Sequence, residues 1–192
     1  KKIGLETYGK PGNYVARQVS RWTKQYLASE TETIPEMDNL IEWLADNIPD
    51  DDETSIVHGD YRLDNMIYKN HEVIGVLDWE LSTLGHPIAD FSYHCLTWRT
   101  LPAMSDLKLI KELGIPSEVE YRDMYSEYTG KDLSKNWEFY MVFNMFKIAA
   151  ILQGILGRVR DGTASSKHAE ERGMQVFPIS KAAWNIVETN FK

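Results

Sequence analysis

The residues best suited to chemistry are concentrated in one short segment, SIVHGDYRLDNMIYKNHEVIGVLDWE, which runs from Ser55 to Glu80. Ordinary turns after β-branched runs carry one or two polar residues, whereas this segment carries a set of six. The six are His58, Asp60, Asp64, Asn65, Asp78 and Glu80. Carboxylate and amide oxygens are hard ligands of the kind that Mg²⁺ prefers. The segment therefore predicts a site.

The spacing of three of these residues indicates what the site could do. Asp60 and Asn65 lie five positions apart in a predicted loop between two strands, and Asp78 follows Asp60 by 18 positions, at the end of the next hairpin. Because a hairpin brings its two ends together, the three side chains are expected to converge. Magnesium held by carboxylates usually serves phosphate chemistry, and one acid must then orient an attacking hydroxyl.

The elements that must position these residues are three short strands. Ser55–Val57 is the first, and Met66–Tyr68 and Val73–Leu77 are predicted to form a hairpin that turns at Lys69–Glu72. From Leu81 onward the pattern is helical.

The remainder of the chain is predicted to be helical, with a loop at RDGTASSKHAEERG and an acidic turn at PDDDE. The predicted helices are Pro11–Ala28, Met37–Ile48, Pro87–Trp98, Met104–Leu113, Glu118–Thr129, Trp137–Val159 and Phe177–Phe191. We therefore expect an α+β fold, mostly helical, in which residues 1–192 form a single domain and the small β element carries the polar cluster.

Two strings in this segment resemble a known family. HGDYRLDN followed by VLDWE is similar to the catalytic loop and metal-binding segment of the aminoglycoside phosphotransferase/choline kinase-like family, a small-molecule branch of the protein-kinase-like fold. The protein-kinase pattern is H-R-D-x-x-x-x-N followed by D-F-G, and this chain has Gly59 for Arg and Trp79-Glu80 for Phe-Gly. The longer strings GKPGNYVARQVSRWTKQYLASE, WELSTLGHPIADFSYHCL and GTASS resemble the subgroup found alone or fused to acyl-CoA dehydrogenases.

The resemblance implies a role for each matching residue. Asp60 would be the catalytic base that accepts a hydrogen bond from the substrate hydroxyl. Asn65 and Asp78 would hold Mg²⁺ on the phosphates of ATP. His58 would brace the loop, and Arg62 would neutralise charge that develops on the transferred phosphoryl group.

Several nearby residues have a structural interpretation beside the functional one. Arg62 either meets phosphate or forms an ion pair with Asp64. Glu80 would assist the metal or meet the substrate. Asp90 is interpreted as a helix cap or a buried brace, and His86 stands where many relatives of the broad family carry Asp.

The resemblance implies a phosphotransferase with an alcohol group as acceptor, and the subgroup implies a hydroxyacyl-CoA or hydroxy acid; an aminoglycoside is the alternative acceptor. Basic points on the predicted helices could meet an anionic substrate such as a CoA phosphate, or could pair with nearby carboxylates. The candidate substrate residues are Trp98, Arg99, Arg158 and Arg160, together with Arg172; the competing partners are Asp161, Glu170 and Glu171.

A kinase of this fold also has an N-terminal lobe, with a phosphate-covering loop and a Lys on a strand. Here the early glycine-rich stretch YGKPGN precedes a predicted helix instead. We therefore expect the chain to be the C-terminal lobe of a kinase-like fold, with an exposed aromatic face where the other lobe would pack. A natural one-lobed protein is the alternative.

Charge and composition exclude some classes of protein. With 21 basic and 29 acidic residues the net charge is −8, which argues against a nucleic-acid binder and disfavours attraction to anionic membranes. The single Cys95 excludes an internal disulfide and is interpreted as a buried structural thiol.

The apolar run Phe139–Leu156 is interrupted by Asn144, Lys147 and Gln153, so it is interpreted as a core helix rather than a membrane span. The opening KKIGLETYGKPGN has no hydrophobic signal region, and a cytoplasmic location is expected.

Two rivals to the kinase hypothesis remain at this point. One is a non-enzymatic, pseudokinase-like module that binds a ligand or partner. The other is a metal-dependent hydrolase that uses the same carboxylates, but it would need further ligands, and none of the five His residues pairs with another at a spacing of i, i+4.

Overall fold

The structure is a computed structural model that describes residues 7–51 and 53–191. Residues 1–6 of the opening segment and Asp52 of the predicted acidic turn lie outside the described residues. The α-helices in the described ranges are α1 Tyr14–Ser29, α2 Pro35–Asp46, α3 Pro87–Cys95, α4 Thr97–Thr100, α5 Leu107–Glu112, α6 Glu118–Thr129, α7 Trp137–Arg160, α8 Ala169–Gly173 and α9 Val176–Asn190. The strands are β1 Ser55–Val57, β2 Met66–Lys69, β3 Glu72–Val76 and β4 Thr83–Gly85.

The chain divides into two compact units. The first comprises Lys1–Gly12 and Glu53–Tyr140, and the second comprises Asn13–Asp52 and Met141–Lys192. The four strands found in the described ranges all belong to the first unit. The mostly helical α+β class predicted from the sequence is confirmed.

The second unit is a helical bundle built from amphipathic helices. The buried side chains of both α1 and α2 recur every three or four residues. On α1 they are Val15, Val19, Trp22 and Tyr26. On α2 they are Met37, Leu40 and Leu44. Helix α2 packs against α1 and α9. Gln153 on α7 donates from Nε2 to the carbonyl of Ser29 at 2.8 Å, which ties the end of α1 to the core helix.

Helix α7 is long and apolar enough to cross a membrane by length and composition, and 78% of its most apolar 18-residue window is buried inside the protein. Such burial is expected of a core helix, which confirms that interpretation. The helix begins at Trp137 as predicted and ends one residue later, at Arg160.

Two small antiparallel ladders organise the first unit. β1 pairs with β4, and β2 pairs with β3 as the predicted hairpin. The hairpin turns at Asn70 and His71, which both have positive φ, 51° and 67°. Positive φ at both central residues matches the right-handed twist of the strands on either side.

Three predictions in the first unit were wrong in detail. Thr83–Gly85 is a strand and not part of a helical stretch. The local pattern did not indicate this, because the partner strand β1 lies far away in the sequence. The predicted helix Pro87–Trp98 ends at Cys95, and a second short helix, α4, follows it. The predicted helix from Met104 starts at Leu107, where Asp106 caps it by accepting from two backbone N–H groups.

Other differences concern the helix ends of the second unit. Helix α1 starts at Tyr14 rather than at Pro11, since Gly12 and Asn13 both adopt positive φ. Helix α2 starts at Pro35, whose fixed φ suits a first helical turn. The predicted loop after Arg160 contains the short helix α8, which sequence periodicity cannot detect over five residues.

Candidate active site

Strand pairing brings two loops of the polar segment side by side. Residues 58–65 follow β1 and precede β2, and residues 77–82 follow β3 and precede β4. At one end Val57 lies opposite Thr83, and at the other end Met66 lies opposite Val76. Because the two loops are joined at both ends, the sequence-predicted site residues that they carry are brought to one place.

The backbone of Leu77 is the junction between the two loops. Its N–H donates to the carbonyl of Asn65 at 2.8 Å, and its carbonyl accepts from Nε2 of His58 at 2.7 Å. Since a carbonyl can only accept, Nε2 of His58 carries the proton, and Nδ1 is left to accept from the backbone N–H of Asp60 at 3.3 Å. His58 is buried. These bonds give it a structural function between the loops.

Helix α3 holds the start of the first loop through Asp90. The Asp90 carboxylate accepts from the backbone N–H of His58 at 2.7 Å and from that of Gly59 at 2.9 Å. Of the two structural roles expected for Asp90, the structure supports the brace, since no side-chain cap precedes α3. Gly59 has a φ of 85°, and a Cβ there would lie 2.7 Å from the carbonyl oxygen of Leu81. Only glycine fits this position without strain.

Asn65 orients Asp60 directly. Its Nδ2 donates to the Asp60 carboxylate at 3.0 Å and to the Asp60 carbonyl at 2.9 Å. The amide nitrogen is therefore used within the loop, and the amide oxygen is directed away from Asp60 as a hard donor atom.

Asp78 has left-handed backbone angles, φ 66° and ψ 47°, and leads into the 3₁₀ turn Trp79–Leu81. The Trp79 indole donates to the Val76 carbonyl at 2.8 Å, and its ring centroid lies 4.8 Å from that of His58. Glu80 is exposed, and the described residues offer it no hydrogen bond or ion pair. A non-glycine residue with the left-handed backbone angles of Asp78 is typical of functional sites, where the surrounding structure maintains the strained conformation.

The donor set suits a magnesium ion that is shared with phosphates. Within residues 7–51 and 53–191, no three or more His, Cys, Asp and Glu side chains are grouped closely enough to hold a metal ion. Mg²⁺ in nucleotide sites, however, needs only one or two protein ligands, because phosphate oxygens and water complete its octahedron. Asn65 and Asp78 lie at the bonded junction of the two loops and could supply these oxygens.

Arg62 forms the ion pair with Asp64 that the sequence left open. The two side chains are bonded through both Nε, at 2.9 Å, and Nη2, and the carboxylate of Asp64 raises the pKa of Arg62. Tyr93 on α3 also lies near Asp60 and Arg62. Burial, followed by the negative charge of the nearby Asp60, raises the pKa of Tyr93 to about 12.

Arg99 is held by two carboxylates of its own unit. Its guanidinium binds Glu118 at 2.6 Å and Glu138 at 2.5 Å, and these bonds raise its pKa although burial opposes the charge. The neighbouring Trp98 donates its indole N–H to the Pro116 carbonyl at 3.0 Å and stacks on Tyr121. These contacts favour structural roles over the substrate contact predicted for both residues.

The other predicted substrate residues lie in the second unit. Arg160 pairs with Asp161 at 2.8 Å and donates to the Glu30 carbonyl, also at 2.8 Å. Arg158 is exposed near the end of α7. The pairing expected as the alternative for these arginines is therefore present at Arg160.

Two further residues have structural surroundings. Cys95 is fully buried, and burial raises the pKa of its thiol, as expected for an inert structural cysteine. His86 is buried in the first unit, where its ring stacks on Tyr140 at 4.9 Å and its Nε2 lies 3.2 Å from the Tyr140 hydroxyl. The metal or substrate role associated with this turn in the broad family has no support at His86.

Sequence reasoning missed Tyr93 as a neighbour of Asp60. The available signal was its position three residues after Asp90, which places both side chains on the same face of α3. It also missed the aromatic contacts around Tyr61, whose ring centroid lies 5.1 Å from that of the buried His94. Tyr121 then bonds to Nε2 of His94 at 3.2 Å.

Comparison with curated proteins finds relatives whose names refer to another enzyme. The chain is 45% identical over 189 residues to acyl-CoA dehydrogenase family member 10 of Mus musculus. This match covers 95% of this chain and 18% of the relative. It is 39% identical over 196 residues to acyl-CoA dehydrogenase family member 11 of Homo sapiens. That match covers 98% of this chain and 25% of the relative. The chain thus spans a quarter or less of these two proteins.

A solved structure matches the fold closely. A protein from Ralstonia eutropha, assigned as an aminoglycoside phosphotransferase, superposes with a TM-score of 0.92 at 51% identity, over 98% of this chain and 59% of that one. Residues 1–125, which include both loops of the site, match the family described as the phosphotransferase enzyme family. With a matching sequence over most of its length and a matching fold, the chain belongs to the phosphotransferase enzyme family.

Proposed function

We propose that this chain is the catalytic lobe of a kinase that transfers the γ-phosphoryl group of ATP to a hydroxyl of a small molecule. The observation that carries the proposal is the junction of the two loops. There the amide of Asn65 fixes the carboxylate of Asp60, and the backbone bond from Leu77 to Asn65 brings Asp78 alongside. One carboxylate is thereby oriented for proton transfer, and the residue that carries the second follows Leu77 directly at the junction.

Each residue then has one task. Asp60 accepts the proton of the acceptor hydroxyl as that oxygen attacks phosphorus, and the bond from phosphorus to the bridging oxygen of ADP breaks. Asn65 and Asp78 would hold Mg²⁺, which neutralises charge on the phosphates. Arg62, fixed by Asp64, stabilises the charge that develops on the transferred group.

The surface of the site segment supports a two-lobed kinase, of which this chain would be the C-terminal lobe. Nine large apolar side chains between Ile56 and Leu81 are exposed. They are Ile56, Leu63, Ile67, Tyr68, Val73, Ile74, Leu77, Trp79 and Leu81. Dense apolar exposure of this kind is typical of a surface that another domain covers. The Ralstonia structure is matched over 59% of its length, so that protein has room for a second lobe.

For the acceptor we propose a hydroxyacyl-CoA or a related hydroxy acid. The names of the mouse and human relatives refer to acyl-CoA dehydrogenases, so acyl-CoA chemistry is the natural context for a hydroxyl acceptor. The name of the Ralstonia structure makes aminoglycosides the second candidate class. Localisation in the cytoplasm remains part of the proposal.

The test is a screen of phosphoryl transfer by the full-length protein. γ-Labelled ATP is supplied with Mg²⁺, or with EDTA, against hydroxyacyl-CoAs, free hydroxy acids, choline and aminoglycosides. We expect label to appear on a hydroxyacyl-CoA or hydroxy acid only when Mg²⁺ is present.

Other outcomes separate the alternatives. Label on an aminoglycoside would retain the kinase and replace its acceptor. Absence of transfer to every acceptor, together with absence of MgATP binding, would favour a pseudokinase-like binding module. Release of free phosphate from several phosphate esters without ATP would favour a hydrolase.

A further inference from the structure

A pocket of about 250 Å³ in the first unit adjoins both loops of the candidate site. Its walls include Tyr61, which directly follows Asp60 in the chain, and Trp79, which directly follows Asp78. Consecutive Cα atoms are only about 3.8 Å apart. The pocket wall therefore lies one residue away from the proposed base and one residue away from a proposed metal ligand.

Aromatic and aliphatic side chains form most of the pocket lining. They include Ile56, Tyr61, Trp79, Pro87, Phe91 and Tyr125. The rings of Phe91 and Tyr125 stack with centroids 3.8 Å apart. Ile56 and Trp79 are 59% and 51% exposed, so they lie at the open side of the pocket, whereas Phe91 is buried. The lining is therefore suited to a ligand that buries apolar surface.

The polar side chains of the pocket already bind the catalytic loop. Among the described residues that line the pocket there is no Lys or Arg, and the polar members other than tyrosine are His58 and Asp90. Nε2 of His58 donates to the Leu77 carbonyl, and the Asp90 carboxylate accepts from the N–H groups of His58 and Gly59. A charged ligand would lose its hydration here for little in return, whereas an apolar ligand gains from burial.

The volume suits a hydrocarbon chain of moderate length. A cavity of about 150 Å³ holds benzene, so about 250 Å³ accommodates roughly ten carbon atoms at the same density. A hydroxyl placed at Asp60 can bring such a chain into the pocket only if the chain continues beyond the carbon that carries the hydroxyl. The acceptor is then a secondary alcohol, with its acyl carbonyl on one side of that carbon and an apolar tail on the other.

We propose that this pocket, the tail pocket, holds the apolar tail of the acceptor beyond its hydroxyl-bearing carbon, and that Ile56 and Tyr125 determine the longest tail accepted. This inference rests on the proposed kinase function and adds to it a preference for chain length. Acceptors whose hydroxyl stands at the end of the chain lack a tail, so they are expected to be poor substrates.

The test is transfer from MgATP by full-length protein to a series of hydroxyacyl-CoAs whose tails lengthen one carbon at a time. We expect kcat/KM to rise about 4-fold for each added methylene until the tail has roughly ten carbon atoms. Ile56→Trp fills part of the tail pocket from its open side, and the rise should end roughly two carbon atoms earlier. Tyr125→Ala enlarges the pocket, and the rise should continue to longer tails.

Ile74→Trp is the matched control for Ile56→Trp. Ile74 is 58% exposed, nearly the same as Ile56, and belongs to the same exposed apolar surface, but it does not line the tail pocket. Ile74→Trp should keep the wild-type dependence on tail length. Transfer that does not depend on tail length in wild type, or an equal change in the two Trp variants, would overturn the inference.

A second measurement does not need activity. In full-length protein with ¹³C-labelled Ile δ1 methyl groups, saturated octanoyl-CoA should move the Ile56 resonance and leave the Ile74 resonance in place, and CoA alone should move neither. An Ile56 resonance that ignores octanoyl-CoA, or that responds to choline instead, would overturn the inference even if transfer is observed. Lack of transfer to every acceptor would overturn the proposed function, and the response to octanoyl-CoA would still support the apolar site.

Discussion

The carboxylate of Asp90 accepts a hydrogen bond of 2.7 Å from the backbone N–H of His58, 32 positions earlier in the chain. A second bond, to the N–H of Gly59, makes the attachment bidentate. The residue that follows these two is Asp60. The position of the proposed base is therefore set by a helix and not by its own loop alone.

Asp90→Asn should loosen this attachment. The amide oxygen can accept from one N–H group, but the amide nitrogen then faces the other as a second donor. We expect the free energy of unfolding to fall by about 1 to 3 kcal/mol, measured by urea denaturation, because a charge-assisted bond is lost and one N–H is left unsatisfied. Asp123→Asn on the exposed face of α6 is the control. Equal stability of the two variants would contradict the bracing role.

Gly59→Ala should be more harmful than a matched change elsewhere. Gly59 and Gly130 both have positive φ, 85° and 69°, but an added Cβ at Gly59 would lie 2.7 Å from a carbonyl oxygen, whereas at Gly130 it meets nothing within 4 Å. Both variants bear the left-handed strain, about 1 kcal/mol. The additional loss in Gly59→Ala, seen in melting temperature and in transfer rate, measures the clash. If the two variants have the same melting temperature, the close approach of Gly59 to Leu81 does not restrict the side chain at position 59.

Asp78→Gly should separate stability from activity. Glycine adopts φ 66° freely, so the variant relieves backbone strain while it removes the proposed metal ligand. We expect magnesium-dependent transfer to be lost and unfolding to require the same or more urea than in wild type. Asp78→Ala lacks the carboxylate as well but keeps the strain, and it should be the less stable of the two. The reverse order of stability would show that the left-handed conformation is not a cost here.

Arg99→Met should destabilise the first unit in a manner that depends on pH. Burial alone would raise the pKa of Glu118, but the bonds and charge of Arg99 lower it below its ordinary value of 4.5. The pair therefore stabilises the fold above about pH 4.5, and this stability is lost as the pH falls through the lower folded pKa. We expect a loss of about 2 to 3 kcal/mol at pH 7 that narrows in acid.

The control for that measurement is Lys108→Met, which breaks an exposed pair with Glu112 at 4.0 Å. Surface pairs contribute little, so this variant should remain close to wild type at every pH. A difference between Arg99→Met and wild type that stays constant from pH 7 to pH 3 would argue that packing of the Arg99 side chain, and not its charge, is what matters.

The convergence of the two polar loops and the helical fold could be predicted because their signals are local. Two contiguous strings contain Asp60, Asn65 and Asp78. The start of helix α6 is marked in the sequence by the capping box of Ser117 and Glu120. Strand β4 could not be predicted, because three residues carry no period and their partners lie in β1. The nearness of Tyr93 to Asp60 was missed for the same reason: the two residues belong to different elements.

The two carboxylate partners of Arg99 could not be predicted for a related reason. An arginine next to a tryptophan on a helix looks available for an anionic ligand when only the sequence is seen. Its two carboxylate partners come from α6 and α7, 19 and 39 positions away. Ion pairs between distant elements are set by packing, and a linear pattern does not reveal them.

The most direct test of the proposed site is to compare Asp60→Asn with Asp123→Asn in single-turnover transfer from γ-labelled ATP to the acceptor identified by the screen. General-base catalysis contributes about 10² to 10⁴ in rate. We expect Asp60→Asn to transfer at least about 100-fold more slowly than wild type while it still binds MgATP, and Asp123→Asn to transfer at the wild-type rate. Transfer by Asp60→Asn at the rate of Asp123→Asn would contradict the assignment of Asp60 as the base.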